Sequence, residues 1–211
     1  MSNGIVSSHR WLFVPVAVAV AIGCSKEPER PRDAATERPV KASSQQLKTY
    51  SEDQRNALRT TMDTARGRVW MLSLDNTVRI YDQRSKKLLR EIALPDWLAV
   101  RTACMPNVIV DRSGAAFISS NVTPWIWRID GETFDLKVHE ISLRGREGLD
   151  VGFATLAFDS SGMLYGLAPS ANWLWAIDMT RANASMVQVY DPPLEECTLT
   201  AQHLERRKAS R

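Results

Sequence analysis

The sequence contains no Cys-x-x-Cys pair, no His-x-x-x-His pair, no Ser-His-Asp order and no glycine-rich phosphate loop. Those absences remove the usual signatures of thiol redox proteins, zinc hydrolases, triad hydrolases and nucleotide-binding enzymes. Only three histidines occur. His9 falls in an apolar leader, His139 stands beside Glu140 on an expected outer strand, and His203 lies near the C-terminal tail. Each reads as a solvated or leader residue rather than a general base. Lysine and arginine (27) nearly balance aspartate and glutamate (24), and no basic stripe interleaved with aromatics appears. Nucleic acid is therefore not an expected partner. Glycine-dependent cofactor cradles and clustered metal ligands are missing too, so no cofactor is expected.

What is present begins with the leader. Arg10 precedes "WLFVPVAVAVAIG", Trp11 to Gly23, 13 uncharged residues. That is too short to cross a bilayer and suits a signal-peptide core. It ends in "AIGC", which resembles the bacterial lipobox. The resemblance implies cleavage before Cys24, lipidation of Cys24 (palmitate among the acyl groups), and a protein held on the cell envelope. Ser25 after the cysteine resembles the enteric signal for the outer membrane, facing the periplasm. The membrane is thus an expected partner, through the anchor. Beyond Cys24 the chain is charged, proline-bearing and free of aromatics, a composition unable to bury enough apolar surface to repay its ordering entropy. The expected map is a signal peptide over 1–23, a disordered tether over 24–50, a β domain over 51–200 and a basic tail over 201–211.

The β domain is written in repeats. Asp111, Gly114 and Asp130 recur as Asp159, Gly162 and Asp178, each 48 residues on. Asp63, Gly67 and Asp82 hold the same roles upstream. An aromatic follows each glycine by three: Trp70, Phe117 and Tyr165. Each unit reads as four short strands joined by Asp- and Gly-bearing turns, with β-branched and aromatic residues and no helical period. In the second unit the strands are expected near 106–110, 115–120, 125–130 and 135–143. Four strands per 47–48 residues is the pattern of a β-propeller blade. The fold class expected is therefore all-β, a small or incomplete propeller of about three four-stranded blades.

The stretch "VWMLSLDNTVRIYDQRSKKLLREI" resembles quinoprotein-type and WD-like blades, and "VDRSGAAFISSNVTPWIWRID" resembles NHL and gluconolactonase-type blades. These resemblances imply blade architecture over about 56–191. A quinone cofactor is not implied, because Arg90 and His139 stand where quinoprotein repeats carry a tryptophan. The gluconolactonase resemblance implies a metal held on the axis by Glu, Asn and Asp, for which Asp150, Asn107 and Asn56 are the candidates, each also readable as a turn or edge residue. The reading favoured is a non-catalytic binding or scaffold protein, resembling at fold level the propeller lipoproteins of outer-membrane assembly; the alternative is a metal-dependent lactonase- or lyase-type hydrolase.

Three blades are fewer than a ring requires. The options are a shortened propeller, a ring closed by two chains, or an open fan whose edges the terminal segments cover. Exposed strand edges invite a protein partner or self-association. Trp125/Trp127 and Trp173/Trp175 each share one strand face, forming core if that face meets a neighbouring blade and an aromatic binding patch if it lies at the rim. With Cys24 lipidated, export leaves Cys104 and Cys197 as a candidate disulfide; two buried thiols are the alternative if their loops lie too far apart.

Overall fold

The protein is represented by a computed structural model that describes residues 43–146, 148, 151–190 and 197–209, with side chains of the last helix described through Glu205. Among the described residues thirteen strands and two helices follow one another. Helix α1 (Ser44–Asn56) precedes the first sheet, β1 (Ala57–Asp63), β2 (Arg68–Ser73), β3 (Thr77–Asp82) and β4 (Leu88–Ala93). The second sheet is β5 (Val108–Val110), β6 (Ala116–Ile118), β7 (Trp125–Ile129) and β8 (Leu136–Glu140). After the short β9 (Ser142–Leu143) comes the third, β10 (Thr155–Phe158), β11 (Leu164–Ala168), β12 (Trp173–Asp178) and β13 (Asn183–Val189), and then helix α2 (Ala201–Ala209). Within each sheet the four consecutive strands run antiparallel in chain order, and β9 adds to β13 as a parallel fifth strand. This is an incomplete β-propeller of three blades.

The repeat is visible in the register. Ala116 opposes Ile129 and Phe117 opposes Arg128 in the second blade; Leu164 opposes Ile177 and Tyr165 opposes Ala176, 48 residues on, in the third. The turns repeat as well. Asp111 Oδ1 accepts from the Ala115 amide and Asp159 Oδ1 from the Met163 amide, each at 3.0 Å. Gly114 and Gly162 take φ of +85° and +87°, which a glycine adopts without cost. At Gly114 a side chain would also collide with the Arg66 guanidinium, 2.6 Å from where a Cβ would sit. In the outer hairpins Lys86, Phe134 and Ala182, again 48 apart, all hold positive φ without being glycine.

Alternation sends successive residues to opposite faces, and this decides what packs where. Trp70, Leu72, Val78 and Ile80 of the first blade meet Ala116, Ile118, Trp127 and Ile129 of the second. Phe117 and Ile126, on the second blade's other face, meet Leu164, Trp175 and Ile177 of the third. The third blade's far face, Tyr165, Leu167 and Leu174, is covered by Leu199 and Leu204 as α2 begins. The first blade's far face, Val69, Met71 and Tyr81, is covered by Tyr50 of α1. Trp70, Phe117 and Tyr165 thus hold equivalent buried positions, each directed at the next layer of the stack.

Two expected boundaries shift. The tether expected up to residue 50 gives way to α1 at Ser44, and the expected β domain opens with that helix rather than a strand at 51. The helix starts on a reciprocal cap, in which Ser43 Oγ accepts from the Gln46 amide at 3.2 Å and Gln46 Oε1 accepts from the Ser43 amide at 3.1 Å. It left no apolar stripe in the sequence because Tyr50 is its one buried residue. The basic tail expected over 201–211 likewise folds as α2 through Ala209. The leader, Cys24 and most of the expected tether lie outside the described residues, as do His9 and Asp150.

Candidate functional site

The first strands of the blades, β1, β5 and β10, are the innermost of each sheet, and β5 neighbours both β1 and β10. Where they begin, they open a cavity of about 480 Å³ lined by Arg59, Thr60, Asn107, Thr155, Cys197 and Thr198, among others. Each of the three blades contributes to it, together with the segment leading into α2.

The walls are held by hydrogen bonds. Asn107 acts as a rung between blades: its Nδ2 donates to Leu156 O at 3.0 Å, and its Oδ1 accepts from the Leu156 amide at 2.9 Å. Ser119 Oγ donates to Ala154 O at 3.1 Å and accepts from the Asn107 amide at 2.9 Å. The loop from Leu94 to Asn107, which joins the first two blades, is braced from the second. Asn121 Nδ2 donates to Val100 O at 2.8 Å and to Cys104 O at 3.0 Å, and its Oδ1 accepts from the Val100 amide at 3.1 Å. Trp97, fully buried, donates its indole N–H to Ser119 O at 2.8 Å. Cys104 and Cys197 are joined as a disulfide, with their Cα atoms 5.3 Å apart, inside the bridging range. Thr155 Oγ1 donates to Cys197 O at 2.8 Å, so the same corner is pinned twice.

What remains free in the groove is Arg59 and Thr60, both exposed on β1. Arg59 makes one long contact, to Leu58 O at 3.4 Å, and no carboxylate among the described residues lies within ion-pair reach of it. No imidazole or carboxylate is among the described lining residues. The described lining offers a cation, hydroxyls and backbone edges to a ligand.

The sequence-derived candidates scatter. Asn107 lines the groove, but both ends of its amide are bonded to Leu156, which leaves it unsuited to coordinate a metal. Asn56 ends α1 as an exposed residue outside the lining. No group of three or more His, Cys, Asp or Glu placed to hold a metal occurs among the described residues. The tryptophan pairs are packing: Trp127 and Trp175 are fully buried, and Trp125 and Trp173 lie half-buried beside them with ring centroids 6.0 and 6.1 Å away. They therefore do not form an open aromatic patch, although Arg146 stands 5.0 Å over the Trp173 ring. The repeated aspartates cap their turns. Asp82 accepts from the Ser85 and Arg84 amides and Asp130 from the Thr133 and Glu132 amides. Those bonds, the Ser85 and Thr133 amides foremost, hold both carboxyls below their ordinary pKa. His139 is half-buried opposite Ile126, and burial, then Lys137 and Arg128, lowers its pKa. Trp97, Asn121 and Arg59 escaped notice in the sequence because the first two lie between strands, outside the pattern that repeats, and nothing marks the third.

No protein-family model matches the chain, and no curated protein matches it. Among solved structures it is similar to virginiamycin B lyase from Staphylococcus aureus, at 16% identity and a TM-score of 0.49, over 66% of this chain and 42% of that one. A streptogramin B lyase is similar at 15% identity and the same TM-score and coverage. The WD40 β-propeller domain of Doa1 is similar at 15% identity and a TM-score of 0.42, over 62% of this chain and 38% of that one. The chain spans about two fifths of the length of these structures.

Proposed function

We propose that this is a lipid-anchored, periplasm-facing binding protein whose incomplete propeller takes its ligand or partner in the groove where β1, β5 and β10 begin. The observation that carries the binding reading is the contrast between the groove's walls and its floor. The walls are braced by Asn107, Asn121 and the Cys104–Cys197 bond, while Arg59 and Thr60 are left unengaged. Walls already braced need little further ordering on binding. The disulfide also favours an oxidising compartment, in keeping with export and with acylation of Cys24. The metal-dependent hydrolase reading draws no support from Asn107, whose amide is engaged.

Two measurements test the reading. In cells fed labelled palmitate, the wild-type chain should carry label and sediment with membranes, and Cys24→Ser should lose both. Persistent membrane association of an unlabelled protein would mean that the apolar leader stays in place as the anchor. For the groove, a photo-crosslinking residue at Thr60 should give one discrete adduct in cells that the same residue at Lys137, on β8, does not. Identical adduct patterns at the two positions would remove the groove as the site.

A further inference from the structure

The three outer hairpins share one backbone and differ in charge. From Asp82 to Glu91 the first carries Arg84, Lys86, Lys87 and Arg90 against two carboxylates. The equivalent stretch of the second blade, 130–139, carries Asp130, Glu132 and Asp135 against Lys137, and that of the third, 178–187, one charge of each sign. The three copies share one geometry, and only the first is net basic. The two carboxylates of the first hairpin are moreover occupied. Asp82 caps the turn through the Ser85 and Arg84 amides, and Glu91 accepts from Arg79 at 2.8 Å. Asp53 on the neighbouring helix accepts from the Tyr81 hydroxyl and pairs with Arg79 at 3.8 Å. None of Arg84, Lys86, Lys87 and Arg90 has an ion-pair partner among the described residues.

Apolar surface accompanies the charge. Leu88 and Leu89, each 39% exposed, stand on β4, the outermost strand of its sheet and unpaired along its outer edge. Lys86, Lys87 and Leu88 line one groove with Ser43, the residue at which the described domain begins. The chain therefore enters the domain beside this hairpin. From Cys24 to Ser43 there are 18 intervening residues. Fully extended, such a segment spans no more than about 65 Å, so an acylated Cys24 keeps this edge within that distance of the bilayer.

We propose that the outer edge of the first blade, Arg84 to Arg90, docks on an anionic phospholipid surface, with the cations on headgroups and Leu88 and Leu89 toward the acyl boundary. This rests on the lipid-anchor reading and adds to it. The acyl groups on Cys24 hold the chain at the bilayer, while a basic patch drawn to an anionic surface decides which edge faces it, and an edge so engaged is also withdrawn from strand pairing with other chains. It would stand the blade stack edge-on to the bilayer.

The test uses the full chain, purified from membranes and reconstituted with vesicles of phosphatidylcholine alone or of phosphatidylcholine with phosphatidylglycerol. Flotation reports attachment, and acylation of lysines by a water-soluble reagent, read by mass spectrometry, reports orientation. Lys87 should be labelled about fivefold less on phosphatidylglycerol vesicles, taking the worth of one cation near an anionic surface. Lys137 should not change, and 0.5 M salt should restore Lys87. Arg84→Glu with Arg90→Glu should float as before, and its Lys87 labelling should become independent of lipid charge. Flotation on both vesicle types with Lys87 labelling unchanged overturns the docking edge and leaves the anchor standing. Flotation only on phosphatidylglycerol supports the docking edge and overturns the anchor; flotation on neither overturns both.

Discussion

The interfaces between blades and the covers at the two ends of the stack solve the same problem with different material. Between the first and second blades eleven buried apolar side chains interlock around Trp70, Trp97 and Trp127, themselves fully buried. At the far end of the third blade the register-equivalent face, Tyr165, Leu167 and Leu174, meets Leu199 and Leu204 instead of another sheet. At the near end Tyr50 alone, of the residues in α1, is buried against Val69, Met71 and Tyr81, in edge-to-face contact with the Tyr81 ring at 5.1 Å. A blade cannot leave either face in water, and a repeat stack must end somewhere. Short helices end this one, with less apolar material than a blade provides. Specific bonds make up the difference at each cover: at the far end the Cys104–Cys197 bond and the Ser160 hydroxyl on Glu205 at 2.7 Å, at the near end the Tyr81–Asp53 contact.

Removing the covalent part of the far cover should have the largest effect on that comparison. Cys104→Ser with Cys197→Ser opens a loop of 93 residue steps, and chain-entropy arguments put the loss at about 4–5 kcal/mol in denaturant unfolding. Two thiols reacting with a maleimide in the unfolded, unreduced wild-type protein would mean that the bond is not formed in solution.

Next in size comes a cavity in each kind of interface. Trp127→Ala should cost about 3–5 kcal/mol and lower the midpoint of the whole unfolding transition. Leu204→Ala should cost about 2–3 kcal/mol, with amide exchange rising over β11 and β12 before the blade interfaces open. If both variants unfold in one indistinguishable step, the covers are as integral as the blades and the contrast drawn above disappears.

A smaller effect separates equivalent turns. Ala182 holds φ of +48° with only a methyl group to place, so Ala182→Gly should raise stability by about 0.5–1 kcal/mol. Phe134, at the same point of the second blade, lies 6.2 Å from the Trp70 ring and under the Arg68 guanidinium at 5.0 Å. Phe134→Gly should therefore destabilise, since its contacts across the blade interface outweigh the backbone relief.

The mildest probe is pH. Asp82 and Asp130 have pKa values lowered in the folded chain, so the unfolded chain takes up their protons first as pH falls. Their contribution is complete above about pH 4 and is lost as pH drops through the depressed values. His139, lowered by burial, behaves in the same sense in its own window: stability declines as pH falls from about 6.5 toward its folded value. Asp82→Asn should flatten the acid limb of a midpoint-against-pH curve, and His139→Gln the shallower step above it. An unchanged His139→Gln profile would place that imidazole in solvent.

The blades were legible because their determinants are local. An aspartate that caps its own turn, a glycine at positive φ three residues before an aromatic, and alternation along five or six residues depend on neighbours in the chain, and they recur wherever the unit recurs. Residues 63, 111 and 159, read as turn aspartates, do cap turns, and Trp70, Phe117 and Tyr165 do hold one position in three sheets. Asn107 is a metal-ligand candidate only through the gluconolactonase resemblance and reads equally as a turn or edge residue, and only the approach of Leu156 from another blade shows what its amide is for.

By itself the sequence determined the unit: four strands, their turns, their spacing and which side chains share a face. Tertiary structure alone decided what each face meets. The rule that buries Phe117 against a blade buries Tyr165 under a helix, and the alternation within β6 and β11 does not distinguish the two outcomes. It also decided that α1 forms where its own residues offer a single apolar contact, because the first blade's far face supplies the rest of the reason. The groove belongs to the same class. Arg59, Asn107, Thr155 and Cys197 are far apart in the chain, and they become one surface only when three inner strands begin at the same end of the stack.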